Sequence, residues 1–136
     1  MHPSITLAVS IDRPPAEVAA FIADVNQLPR WAGGLCKSVR REGAGWRIDT
    51  GQGEAGFRFT GNPAEGILDH MVSLEDGLEV FVPLRVVPNQ NGSEVLFTLF
   101  RLPGMTDERL QQDMAAVHTD LQQLKEALEV GGMSPP

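Results

Sequence analysis

Apolar residues recur at two different spacings along the first part of the chain. Between residues 5 and 11 every second residue is apolar, which predicts a strand with one buried face. From Pro15 the apolar positions repeat every three or four residues as far as Val25, which predicts a helix that begins at the proline. Pro29 interrupts this pattern, so we expect a second short helical turn over residues 26–31.

The middle of the chain consists of short β-prone runs separated by Gly, Pro and Asn. We predict strands at residues 36–41, 46–50, 57–60, 67–73, 79–87 and 94–101. Six strands in sequence imply an antiparallel meander. Asn91-Gly92 supplies the clearest hairpin turn. The glycine-rich run 51–56 leads into a strand and lacks a following Lys-Ser/Thr, which favours a hairpin connection over a phosphate loop.

The last part of the chain returns to helical spacing. Pro103-Gly104 ends the final strand, Thr106 is a candidate N-cap, and Gly131-Gly132 ends the helix. One apolar stripe runs along this helix: Leu110, Met114, Val117, Leu121, Leu124 and Leu128. We therefore expect a single domain over residues 1–132, with residues 133–136 as a disordered tail.

Charge and composition exclude several classes of partner. The chain has 11 Lys and Arg against 18 Asp and Glu, a formal net charge of −7, which opposes binding to nucleic acid or to anionic lipid. No apolar run approaches the roughly 20 residues of a membrane span. The lone Cys36 cannot form an internal disulfide, and we expect a cytoplasmic protein. The three His residues show no metal-ligand spacing, so we expect neither a metal nor a cofactor.

A long helix across a bent antiparallel sheet leaves a space that large side chains must fill. The chain holds only 6 Phe and 2 Trp, with no Tyr. Both a cavity lined by Leu, Val, Met and Phe and a solid core agree with this composition.

The sequence resembles the START-like superfamily, the polyketide cyclase/dehydrase and lipid transport group (SRPBCC), in its small bacterial members. The resemblance is carried by SITLAVSIDRPPAEVAAFIADVNQLPRWAGG at 4–34, GILDHMVSL at 66–74 and the segment 83–129. It implies an α+β helix-grip fold: a seven-stranded curved antiparallel sheet wrapped around a long C-terminal helix, with two short helices after the first strand. It also implies an elongated pocket for apolar or amphipathic small molecules.

Trp31 and His70 are the first candidate site residues. The resemblance places Trp31 at the pocket mouth, where its indole either stacks on a ligand or plugs the end of the barrel. His70 is a candidate for catalysis or ligand binding if its side chain points inward. The neighbouring Asp69 cannot orient it, because adjacent strand residues point to opposite faces.

Each of the other candidate residues has either a role in ligand binding or an ordinary structural role. Arg58 and Arg85 either anchor a polar group of the ligand or face solvent, and an inward arginine requires a carboxylate partner such as Asp69. His118, the second catalytic candidate, lies at the border of the helical stripe and either lines the cavity or bonds to water. Phe100 and Met114 complete the expected ligand contacts.

The sequence therefore favours binding of a hydrophobic or amphipathic small molecule between the sheet and the C-terminal helix. One alternative is a metal-free cyclase/dehydrase that acts on a polyfunctional carbonyl compound, with a His or Arg that stabilises enolate charge. A second is a co-chaperone-like interaction module. We expect a monomer or a homodimer.

Overall fold

The elements follow one another in an order close to the predicted one. A computed structural model of the chain describes residues 1–131, so the predicted tail and Gly132 lie outside the described residues. The helices are α1 (Pro15–Ala23), α2 (Leu28–Trp31) and α3 (Asp107–Gly131). The strands are β1 (Ser4–Ile11), β2 (Ser38–Glu42), β3 (Gly45–Asp49), β4 (Glu54–Phe59), β5 (His70–Ser73), β6 (Glu79–Val82), β7 (Leu84–Asn89) and β8 (Gly92–Phe100).

Local chemistry accounts for both short helices after β1. Pro15 is the first residue of α1 and Glu17 lies in its first turn, where the helix dipole favours a carboxylate. The carboxylate of Asp24 then accepts the N–H of Asn26 and starts the 3₁₀ turn Val25–Gln27, which leads directly into α2. The two predicted helical segments are confirmed.

The strands form one curved antiparallel sheet made of two ladders. The first ladder has the order β2-β3-β4-β5-β6 and the second has the order β1-β8-β7. Backbone hydrogen bonds join them: Leu68 N–H donates to Leu84 O at 2.8 Å, and Val86 N–H donates to Gly66 O at 2.9 Å. The sheet curves around α3, and the predicted helix-grip fold is confirmed.

Pro83 divides one predicted strand into two, so residues 1–131 contain eight strands instead of seven. The predicted strand 79–87 becomes β6, which pairs with β5, and β7, which pairs with β8. Proline has no N–H for the ladder, and the Pro83 carbonyl instead accepts the N–H of Thr98 at 3.0 Å. The chain therefore passes from one ladder to the other at this residue.

Two turns also differ from the prediction. The connection before β4 ends at Gly53 instead of continuing to Gly56, because Gly56 already pairs with Ser73 of β5. In the β7–β8 hairpin the central residues are Gln90 and Asn91, and Gln90 has a φ of 53°. Gly92 is needed for a different reason: a Cβ there would lie 2.9 Å from the carbonyl oxygen of Ile11.

Helix α3 lies across the sheet and is held mainly by β1, β8 and α2. Its first turn is capped as predicted, since Thr106 Oγ1 accepts the N–H of Arg109 at 3.1 Å. At its other end the guanidinium of Arg13 donates to the carbonyls of Leu128 and Glu129, both at 3.2 Å. The direction of α3 is therefore fixed: its C-terminal end lies beside the end of β1.

None of the helices within residues 1–131 combines the length and the apolar composition that a membrane span requires.

Candidate functional site

The register of the strands separates the sheet into an inner face toward α3 and an outer face toward solvent. In β1 and β8 the pairs Val9–Val95 and Leu7–Phe97 lie on the inner face. Inner-face side chains supply the buried core, and other members of the same face are only half-buried. The half-buried inner-face residues include Leu7, Val39, Trp46, Phe59, Val80, Phe97 and Leu99.

Burial changes along the helix and along the strands below it in the same direction. On α3, Val117, Leu121, Leu124 and Leu128 are buried, whereas Leu110 and Met114 are half-buried. We call the region beneath the C-terminal half of α3 the packed end, with Val9, Ile11 and Val95 on its strands. We call the region beneath the N-terminal half the open end, with Ile5, Leu7, Phe97 and Leu99 on its strands.

His70 lies on the inner face next to the open end, because its strand partner Val82 precedes Pro83, whose carbonyl accepts the N–H of Thr98 between Phe97 and Leu99. Its strand position is paired with Phe59 on one side and Val82 on the other, and only 5% of the residue is exposed. The ring stacks on Phe57 with a centroid distance of 4.7 Å and meets Phe59 edge-on at 6.2 Å. The sequence left both orientations of His70 open, and the register gives the inward one.

One hydrogen bond fixes the proton on the imidazole. His70 Nδ1 lies 3.0 Å from the carbonyl oxygen of Leu68, and a carbonyl can only accept, so Nδ1 carries the hydrogen. Burial lowers the pKa of His70 below its ordinary value, which outweighs the opposing effects of the Leu68 carbonyl and of Asp69. The ring is therefore neutral near pH 7, and its Nε2 is a hydrogen-bond acceptor.

Asp69 and Arg85 form an ion pair at the junction of the two ladders, on the side opposite to His70. Arg85 donates from Nε to Asp69 Oδ1 at 2.9 Å and from Nη2 to Oδ2 at 2.8 Å. Asp69 Oδ1 also accepts the backbone N–H of Leu84 at 2.9 Å. The Arg85 guanidinium, together with this N–H, holds the pKa of Asp69 below its usual value. Asp69 thus satisfies the N–H of Leu84, the residue after Pro83, and connects the chain before β5 to β7.

The structure separates the other predicted site residues into two groups. Met114 lies on α3 at the open end. Arg58, Arg85 and Phe100 instead have outer-face positions: Arg58 is paired with Met71 and is exposed, and Phe100 stacks on Phe81 at 6.5 Å. His118 is exposed on α3. Of the two candidate catalytic histidines, the inner face therefore contains His70 alone among residues 1–131.

Trp31 is part of the buried core, with 3% of its surface exposed. Within residues 1–131 its indole Nε1 has no hydrogen-bond partner, so the backbone carbonyl expected for a plugging tryptophan is absent from the described part of the chain. A buried indole N–H is ordinarily paired. Trp31 therefore offers a donor that a small molecule or a water could satisfy.

Several residues of the open end were not identified from the sequence. Phe59, Val80 and Phe97 were assigned to strands without being assigned to the site. Strand alternation could have identified them, because residues two positions apart in a strand share a face. Phe59, Val80 and Phe97 each lie two positions from a buried residue: Phe57, Val82 and Val95. In β8 the signal is ambiguous, since both faces are apolar.

A separate surface groove of about 580 Å³ lies between α1, the 3₁₀ turn Pro63–Glu65 and β7. Small apolar residues such as Ala16, Ala20 and Pro88 line much of it. Within residues 1–131, no residue of α3 lines this groove, so it is separate from the site.

Comparison with known proteins identifies the fold. No family model and no curated protein matches the chain. Among solved structures, DynU16 from the dynemicin biosynthetic locus aligns with a TM-score of 0.73 and 22% identity over 94% of this chain. The chain spans about half of DynU16, since the alignment covers 48% of that protein.

Two further structures have the same architecture. BexL, the di-domain ARO/CYC from the BE-7585A biosynthetic pathway, aligns with a TM-score of 0.72 and 21% identity over 97% of this chain and 48% of its own. Ara h 8.0201 aligns with a TM-score of 0.73 and 14% identity over 96% of this chain and 99% of its own. The chain therefore has a START-like, SRPBCC-type fold.

Proposed function

We propose that the protein binds a hydrophobic or amphipathic small molecule at the open end, between the N-terminal half of α3 and the inner face of the sheet. The observation that carries this proposal is the burial gradient along α3. Apolar side chains that point inward remain half-exposed beneath Leu110 and Met114, whereas the same stripe is buried further along. Accessible apolar surface that adjoins the core is characteristic of binding sites.

The open end supplies both affinity and orientation. Each Å² of apolar surface removed from water contributes roughly 25 cal/mol, so a molecule that covers Phe59, Phe97 and Leu99 gains most of its affinity there. His70 adds a polar contact within this apolar surrounding, where one hydrogen bond fixes the orientation of the ligand. Membership of the START-like superfamily is part of the same proposal.

A fluorescence titration with N-phenylnaphthylamine tests the proposal. The dye is expected to bind the native protein and to brighten as it leaves water. Val80→Trp fills the open end from the inner face and should weaken binding about tenfold or more, which corresponds to about 1.4 kcal/mol. Phe81→Trp is the matched control, because the neighbouring side chain lies on the outer face and is 41% exposed.

The control should bind the dye as the native protein does. Equal weakening in both variants, or no binding to the native protein, would contradict a site on the inner face. Melting curves of the two variants establish that both remain folded.

A second candidate function is catalysis of the cyclase type on a polyfunctional carbonyl compound. It is favoured by the neutral, buried His70, whose Nε2 can take a proton from an activated carbon or hydroxyl at the open end. The alignment with BexL gives it further support. If His70→Ala and His118→Ala both leave the turnover of a supplied polyketide-like substrate unchanged, histidine acid/base catalysis is excluded.

A further inference from the structure

The tautomer of His70 restricts the chemistry of the ligand. Nδ1 is occupied as a donor by the carbonyl of Leu68 at 3.0 Å, so the remaining ring nitrogen, Nε2, has a lone pair and no hydrogen. That carbonyl is the one hydrogen-bond partner of the ring among residues 1–131. An acceptor of this kind is satisfied by an O–H or N–H group and gains nothing from a carbonyl oxygen.

The surroundings of the ring leave Nε2 without an obvious donor from the protein. The imidazole is stacked against Phe57 and meets the edge of Phe59, and neither ring can donate a conventional hydrogen bond. The paired position on β6 is the apolar Val82. Nε2 is not among the fully buried unpartnered atoms of residues 1–131, so it remains accessible, and a ligand that supplies a donor there makes a hydrogen bond within apolar surroundings.

The charged groups of this region are directed elsewhere. Arg85 is held by two hydrogen bonds to Asp69 on the outer side of the sheet, and Arg58 is exposed on the outer face. The two arginines predicted to anchor a polar group of the ligand are therefore not on the inner face. His70, neutral and accepting, favours an uncharged hydroxyl over an anion.

We propose that the ligand of the open end carries a hydroxyl group of the phenol, enol or alcohol type, which donates its hydrogen to His70 Nε2 while its apolar part contacts Phe59 and its half-buried neighbours. This inference rests on the proposed small-molecule site. It goes further by selecting hydroxyl compounds over carbonyl compounds and carboxylates of the same size.

A matched pair of probes tests the selection: β-naphthol, which has a hydroxyl donor, and its methyl ether, which has none. Calorimetric titration of the native protein should show β-naphthol bound about two- to tenfold more tightly, the ordinary gain from one neutral hydrogen bond. His70→Phe keeps a flat apolar ring against Phe57 and should bind both probes equally. His2→Phe, at an exposed position near the chain start, should retain the native preference.

The outcomes separate this inference from the proposed function. If the native protein binds both probes with equal affinity, or prefers the ether, the hydroxyl inference is overturned while the site stands. If the native protein binds neither probe, the proposed site itself fails.

Nitrogen NMR of the native protein provides a check that does not depend on any variant. It should find the His70 proton on Nδ1, and a proton on Nε2 would overturn the inference.

Discussion

The packed end and the open end are covered by one helix with one apolar stripe, yet they differ in burial. At the packed end, Leu121 and Leu124 meet strand residues that are themselves buried, such as Val9 and Val95. At the open end, Leu110 and its strand neighbours are half-buried although they are just as apolar. The two halves of α3 therefore pack differently: the C-terminal half contacts a buried core, and the N-terminal half lies along side chains that stay partly exposed.

Polar contacts reinforce this difference. At the packed end, Lys125 Nζ donates to the carbonyl of Ser10 at 2.8 Å and to Glu129 at 2.7 Å, and Glu129 accepts the N–H of Asp12 at 2.9 Å. These bonds connect α3 to the end of β1 and to the residue that follows it. On the N-terminal half of α3, Arg109 pairs with Asp113 of its own helix, whereas Arg101, the residue after β8, pairs with Asp107 at 2.7 Å. Among the described residues, more side-chain hydrogen bonds therefore connect α3 to the sheet at the packed end than at the open end.

The largest expected effect separates the two ends directly. Leu121→Ala should lower the free energy of unfolding by about 2–5 kcal/mol, because it leaves a cavity in a close-packed region. Leu110→Ala, the control on the same stripe, should cost less than about 1.5 kcal/mol, since its side chain is already half-exposed. Urea denaturation measures both values. Equal losses would remove the distinction between the ends.

The ionised carboxylate of Asp120, in the packed half of α3, destabilises the folded state because it is partly removed from water. Desolvation raises its pKa to about 6, so the folded state holds this proton more tightly than the unfolded state, whose carboxyl titrates near its ordinary value. The free energy of unfolding should therefore fall as the pH rises through about 4 to 6.

Asp120→Asn should remove that penalty and stabilise the protein by about 1–2 kcal/mol at neutral pH, after allowance for solvent screening. Thermal melts at several pH values measure the effect. A variant that shows the native pH dependence over this range would refute this assignment of Asp120.

The smallest effect concerns the polar connection at the end of α3. Arg13→Ala should cost about 0.5–1.5 kcal/mol, because two helix carbonyls lose their donor. Arg109→Ala, which breaks a surface pair within α3, should cost about 0–0.5 kcal/mol. The two urea midpoints provide the comparison. A larger loss of unfolding free energy for Arg109→Ala than for Arg13→Ala would contradict the stronger attachment of α3 at its C-terminal end.

Much of the fold follows from local pattern, whereas the site depends on register. The first strand, both short helices and the capped α3 each have a period or a cap that can be recognised in isolation. The division at Pro83 required knowledge of which ladder each side joins. Proline marks a break in a strand, but it does not indicate that the two pieces have different partners.

The same reason explains which site residues were predicted. His70 was recognised as a chemical group, and strand alternation correctly separated it from Asp69. Phe100 was chosen over Phe97 although the two lie on opposite faces of β8, because a strand that is apolar on both faces gives no alternation to use. Only the pairing of Phe97 with Leu7 and Leu84 identifies the inner face.

The central claim is that a small molecule binds at the open end, and methyl NMR during titration with N-phenylnaphthylamine tests it most directly. The chain contains matched reporters: Met114 at the open end against Met71 on the outer face, and Leu99 on the inner face against Leu96 on the outer face. The account predicts shifts at Met114 and Leu99, with Met71 and Leu96 unchanged. Shifts confined to Met71 and Leu96 would contradict it.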